Sequence, residues 1–138
     1  GAVADADEPL DSPRLRAAVG PVVAVAFHAF AEQPWRLEGL PPDLQARAAD
    51  YIAAVTAAYL AERRHQFLHR GHLVELVLPE DHAVVDAQTI AGMSFTGTAS
   101  QLRRRAEALS ADGVTELAVQ PGGDVPNELR RLAAALLG

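Results

Sequence analysis

Thr98-Ala99-Ser100-Gln101 and, fourteen residues on, Asp112-Gly113-Val114-Thr115-Glu116-Leu117-Ala118-Val119-Gln120-Pro121-Gly122-Gly123 set the architecture by the order of their signals. Thr98 and Gln101 have the spacing of a capping box, in which a Thr hydroxyl accepts the N3 amide and Gln reaches back to the cap. The spacing predicts a helix over 99–111, ended where Gly113 tolerates a left-handed turn. Thr115–Gln120 then reads as a buried strand, with Leu117 and Val119 on one face and Ala118 on the other. Pro121-Gly122-Gly123 is a turn, and Pro126 opens a terminal helix to Leu137. Helix, strand, glycine loop, helix is the grammar of an α/β protein.

Working back toward the amino terminus, helices dominate. Ala4–Asp11 is acidic and reads as an exposed loop, and Ser12 is placed to cap a helix that Pro13 begins. Pro21 lacks an N–H and disfavours helical geometry at Gly20, so this helix is expected to stop there and a second to run from Pro21 to Glu32. The β-branched residues of Val22–Phe27 leave a strand as the alternative. Gln33–Pro42 reads as a loop. Asp43 is expected to cap a long helix to Leu68, because Leu44, Ala48, Tyr51, Ile52, Val55 and Tyr59 recur at spacings of three and four. Gly71 should end or bend it. Leu73–Leu78 reads as a short strand or an extended stretch closed by Pro79, residues 84–91 as a short helix, and Ser94–Thr98 as extended again.

The chain's 138 residues suffice for one domain with a core. Apolar residues make up 49% and charged residues 22%, a globular rather than a disordered balance. A formal charge of -6 argues against a nucleic-acid grip held by bulk positive charge. With no cysteine, disulfides and thiol chemistry are excluded. All 12 basic residues are arginine, which excludes a Schiff-base lysine and a P-loop lysine. The longest apolar stretch, Pro21–Ala31, is broken by His28 and too short to span a bilayer, and no secretory signal opens the chain. The expectation is a cytoplasmic protein with neither nucleic-acid nor membrane partners.

Five histidines carry most of the chemical interest. His65, His69 and His72 at i, i+4 and i+7 share one helix face if Gly71 does not break it. That pattern suits zinc, but a carboxylate is usually added, His-Glu-x-x-His is absent, and Glu62 and Glu75 are weak candidates. The reading therefore assigns no metal ligand and takes His28, His65, His69 and His72 as packed, hydrogen-bonded or pocket-lining groups. Gln120, Gly122 and Gly123 sit where a strand meets a helix, a common place for a ligand phosphate, although Asp124 opposes an anion there. Arg103-Arg104-Arg105 reads as a solvated helix face and Trp35 as a loop anchor.

Taken in order, Gly20–Ala29, Arg64-His65-Gln66-Phe67-Leu68-His69-Arg70-Gly71-His72-Leu73, Phe95-Thr96-Gly97-Thr98 and Val114–Gly123 support a family name. The chain resembles the carboxyl-terminal part of luciferase-like (LLM class) oxidoreductases that use a flavin or F420, including methylenetetrahydromethanopterin-reductase-like members. The resemblance implies a helix-dominated α/β chain, part of a (β/α)8 barrel, with one to three short strands. It divides the chain into a strand end and loop (1–12), a helical insertion (13–97) and a closing helix-strand-helix unit (98–138). It also implies oxidoreductase or monooxygenase chemistry on a small molecule, with F420 or FMN touching Gln120, Gly122 and Gly123. Such a barrel needs about 250 residues. Most of the cofactor site is then expected upstream of Gly1, and self-association or union with the rest of the barrel follows. A free-standing helical module that binds a ligand or partner is the alternative.

Overall fold

Ser12 accepts the Leu15 amide and Pro13 opens α1, as the sequence predicts, but the helix runs unbroken over Pro13–Glu32 with Pro21 inside it. A proline in a helix interior costs on the order of 3 kcal/mol. Burial of Leu15, Val19, Val23, Ala24, Phe27 and Phe30 on this one helix outweighs that cost, at roughly 1.5–3 kcal/mol for each large side chain. The stop at Gly20 and the alternative strand are both corrected. Gly20 is itself buried, its missing side chain admitting Leu76 and Val85.

The computed structural model describes residues 1–138, with α1 as its central helix. A 3-10 turn at Pro34–Leu37 leads to α2 (Pro42–Ala58) and α3 (Ala61–Leu68). The long helix expected over 43–68 is therefore two, with Tyr59 extended between them. Asp43 does not cap it; its carboxylate accepts Gln88 Nε2 at 2.7 Å instead. Leu73–Leu78 forms no strand, and Pro79 opens α4 (Pro79–Val84) rather than closing an extended segment. Asp86 then caps α5 (Ala87–Met93) by a capping box with Thr89, dividing the single helix expected over 84–91.

Two strands pair in parallel: β1 (Val3–Ala4) and β2 (Gly97–Thr98), in register Val3 to Gly97. Thr98 caps α6 (Ala99–Ala111) by the predicted box, and Gly113 follows at φ +91°. Residues 115–120 are the main correction to the fold. They form no strand and lie exposed, apart from half-buried Val119, before α7 (Val125–Leu137). A strand persists only where a neighbour takes its N–H and C=O groups. Here Gly1 alone does so, donating to the Gln120 carbonyl and accepting from Gly122 N at 3.1 Å, the parallel pattern.

Side-chain alternation divides the ladder between two cores. Ala2 and Ala4 face the large cluster built on α1, while Val3 faces Leu102 of α6 and Leu132 of α7. Helices thus cover both faces of the parallel pair, as such pairs require. The molecule is a helix-dominated α/β fold, and its residues close no barrel. Because α1 does not stop at Gly20, it is by length and composition apolar enough to cross a membrane, with 50% of its apolar window buried inside the fold.

Candidate functional site

α1 carries His28 and Glu32 one turn apart on the same face, and that face meets the histidine segment. His28 is 2% exposed and its Nε2 donates to Asp81 Oδ1 at 2.9 Å. Tyr51 of α2 donates to the same oxygen at 2.8 Å. Burial, together with the Asp81 carboxylate, holds the Tyr51 phenol far above its ordinary pKa, so it remains a donor. A buried carboxylate with two donors is satisfied, and it fixes the imidazole orientation. His28 Nδ1 has no partner.

Glu32 ends α1, and its Oε1 lies 2.5 Å from His65 Nδ1 and 2.9 Å from His69 Nε2. Burial raises the Glu32 carboxyl, but the two imidazole hydrogen bonds outweigh it and hold the pKa below the usual range. α3 stops at Leu68, so His72 is not on its face. Gly71 turns the chain at φ +70°, where a side chain would strike Val77 and the Glu75 carbonyl. That turn still returns His72 to its neighbours: His69 Nδ1 lies 3.2 Å from His72 Nδ1, and the rings stack at 4.7 Å. His28 lies 6.1 Å from the His69 ring and 6.3 Å from that of His72. Burial first, then the neighbouring His69 and His28, depresses the His72 pKa against the pull of Glu32.

The four histidines singled out from sequence therefore meet, graded from buried His28 to exposed His65. His82 stands apart and exposed. Sequence reasoning missed Asp81, Tyr51 and Glu32. Glu32 had a signal, since His28 and Glu32 are spaced i, i+4 just as His65 and His69 are. Asp81 had none, because only the folding of α4 against α1 and α2 brings it in. Chemically, the group can pass or hold protons, grip a polar ligand, or take a cation.

Gln120, Gly122 and Gly123 lie elsewhere, beside Gly1 and α1. A side chain at Gly122 would come within 2.0 Å of the Ala18 carbonyl oxygen, and Gly123 sits at φ +72° against Ala18 Cβ. Close packing on α1, with the positive φ at Gly123, accounts for both glycines. A cleft of about 730 Å³ between α1, α2 and α5 is lined by residues that include Phe30, Leu44, Arg47 and Met93 and contains none of the histidines. Comparison of the chain with protein-family models, with curated proteins and with solved structures gives no match.

Proposed function

We propose that this chain is the carboxyl-terminal portion of a luciferase-like oxidoreductase that uses a flavin or F420 on a small-molecule substrate in the cytoplasm. The observation that carries it is the parallel arrangement. β1 and β2 run the same way under helical cover, and residues 120–122 bond along Gly1 in the same sense. The sequence resemblance supplies the chemistry. His28, His65, His69 and His72 are assigned to the wall of the substrate pocket beside the barrel.

A hydride carrier must be held with its reactive ring against the substrate, since positioning supplies much of the rate. In this proposal the rest of the barrel supplies most of that positioning, since the Gly122–Gly123 turn packs against Ala18 of α1. Titration with FMN and with F420, followed by cofactor fluorescence, tests the proposal. The isolated chain is expected to bind neither stoichiometrically, and the product of the complete reading frame that encodes it to bind one of them. Failure of that complete product to bind either cofactor would overturn the family reading. Stoichiometric binding by the 138 residues would overturn the need for further strands.

A second reading, a helical module that binds a partner, draws on the exposure of Val114, Leu117, Val125 and Leu129 around the α6–α7 end. Large bare apolar patches are unusual on monomers. A partner that protects these residues from hydrogen exchange, with no cofactor bound, would favour it.

A further inference from the structure

We infer that Glu32, His65 and His69 form a binding site for a divalent transition-metal ion of the zinc class, independently of the oxidoreductase proposal. Their three donor atoms, Glu32 Oε1, His65 Nδ1 and His69 Nε2, all lie within 4.8 Å of one another. Two imidazoles and a carboxylate are a zinc donor set, and three protein ligands leave a fourth position for water or a ligand. Glu32 supplies the carboxylate that the histidine spacing lacked, in place of Glu62 or Glu75.

Three further features favour a cation at this point. Glu32 is the last residue of α1, and His65 and His69 occupy the last turn and cap of α3. Two helix carboxyl ends, each carrying partial negative charge, therefore converge on the donors, with no basic residue in the last turn of α1. The His69 ring is already oriented from behind: with Nε2 toward the site, its Nδ1 lies 3.2 Å from His72 Nδ1. Such an outer partner fixes the tautomer of a ligating imidazole. Finally, buried His28, with Nδ1 unpartnered, stands behind the same rings.

Without the ion, Glu32 bridges the two imidazoles through hydrogen bonds. A tetrahedral ion with arms of about 2.0 Å needs donors roughly 3.3 Å apart, so each imidazole nitrogen must draw back from Glu32 Oε1 by less than about 1 Å. His65 is 75% exposed and free to make that adjustment. A depression of about 310 Å³ lined by Ala31, Glu32, Ala61, Arg64, His65 and Leu68 gives access from solvent. Arg64 at its wall suits an anionic fourth ligand. On binding, the proton on His65 Nδ1 moves to its outer nitrogen or to solvent, and that on His69 Nε2 leaves to solvent; the proton between His69 Nδ1 and His72 Nδ1 then passes to His69, and His72 takes one up from solvent on Nε2.

The test is calorimetric titration of the full chain, stripped by chelator, with Zn²⁺, supported by Co²⁺ absorption as a reporter of tetrahedral geometry. One ion per chain is expected. Glu32→Gln, His65→Ala and His69→Ala should each weaken binding by roughly 100-fold, and His82→Ala should leave it unchanged. His65 and His82 are exposed, so these two variants retain the fold. No binding at 100-fold excess Zn²⁺, binding that survives His65→Ala or Glu32→Gln, or equal weakening by His82→Ala would each overturn the site.

Discussion

At the scale of single residues, Asp81 is the side chain on which most depends. It is 1% exposed and accepts from His28 and Tyr51, so its removal strands two buried donors. Asp81→Ala is expected to cost about 3–5 kcal/mol, and Tyr51→Phe, which leaves Asp81 still paired with His28, only about 1 kcal/mol. Urea denaturation of the two variants checks this, and equal losses would show that the carboxylate is not the hub. Glu8 gives the pH dependence. Hydrogen bonds from Arg14, aided by Ser12 and the Asp5 amide against the opposing effect of burial, hold its carboxyl at about 2 instead of 4.5. A depressed folded-state pKa stabilises above the unfolded value and loses that contribution as pH falls through the folded one. Stability should therefore decline between about pH 5 and pH 2, with Glu8 contributing on the order of 2 kcal/mol after screening at half-exposed Arg14. Glu8→Gln should flatten that part of the profile, as read by denaturation at each pH.

Elements differ in how far local signals governed them. Ser12-Pro13, the Thr98–Gln101 box and Gly113 act within one turn of backbone, and each appears where the sequence predicts it. Pro21 and the Thr115–Gln120 segment did not follow their local signals, because packing decided the first and missing partners the second. Two glycines separate these regimes. Gly122→Ala would drive a methyl into the Ala18 carbonyl, an obstacle made of backbone, and should destabilise by about 2 kcal/mol or more. Gly92 in α5 is exposed with nothing near its missing side chain, so Gly92→Ala should stabilise by about 0.5–1 kcal/mol through helix propensity. Thermal melts of the pair should move in opposite directions. A neutral Gly122→Ala would mean that the turn does not seat on α1.

For the whole molecule, the self-association expected from sequence has exposed apolar side chains to draw on. In the structure most of α1 is buried in the core, and the exposed large apolar side chains include Val114, Leu117, Val125, Leu129 and Leu137. Each such side chain is worth roughly 1.5–3 kcal/mol on full burial, and the unpaired backbone of 115–119 offers a template for pairing. A net charge of -6 is too diffuse to forbid a specific contact. Light scattering is therefore expected to show a dimer or larger species, dispersed by Leu117→Asp with Leu129→Asp; a monodisperse monomer at high concentration would refute this. What the sequence determined by itself was the helix-dominated α/β class, the helix starts at Ser12-Pro13 and Thr98 and the stop before Gly113, since caps and glycine turns are short-range interactions. Only the tertiary structure decided that α1 runs through Pro21, that residues 115–120 go unpaired, and that Glu32 and Asp81 join the histidines. Those outcomes depend on burial and on partners 30 to 120 residues away, whose contributions outweigh a single proline or a favourable strand pattern.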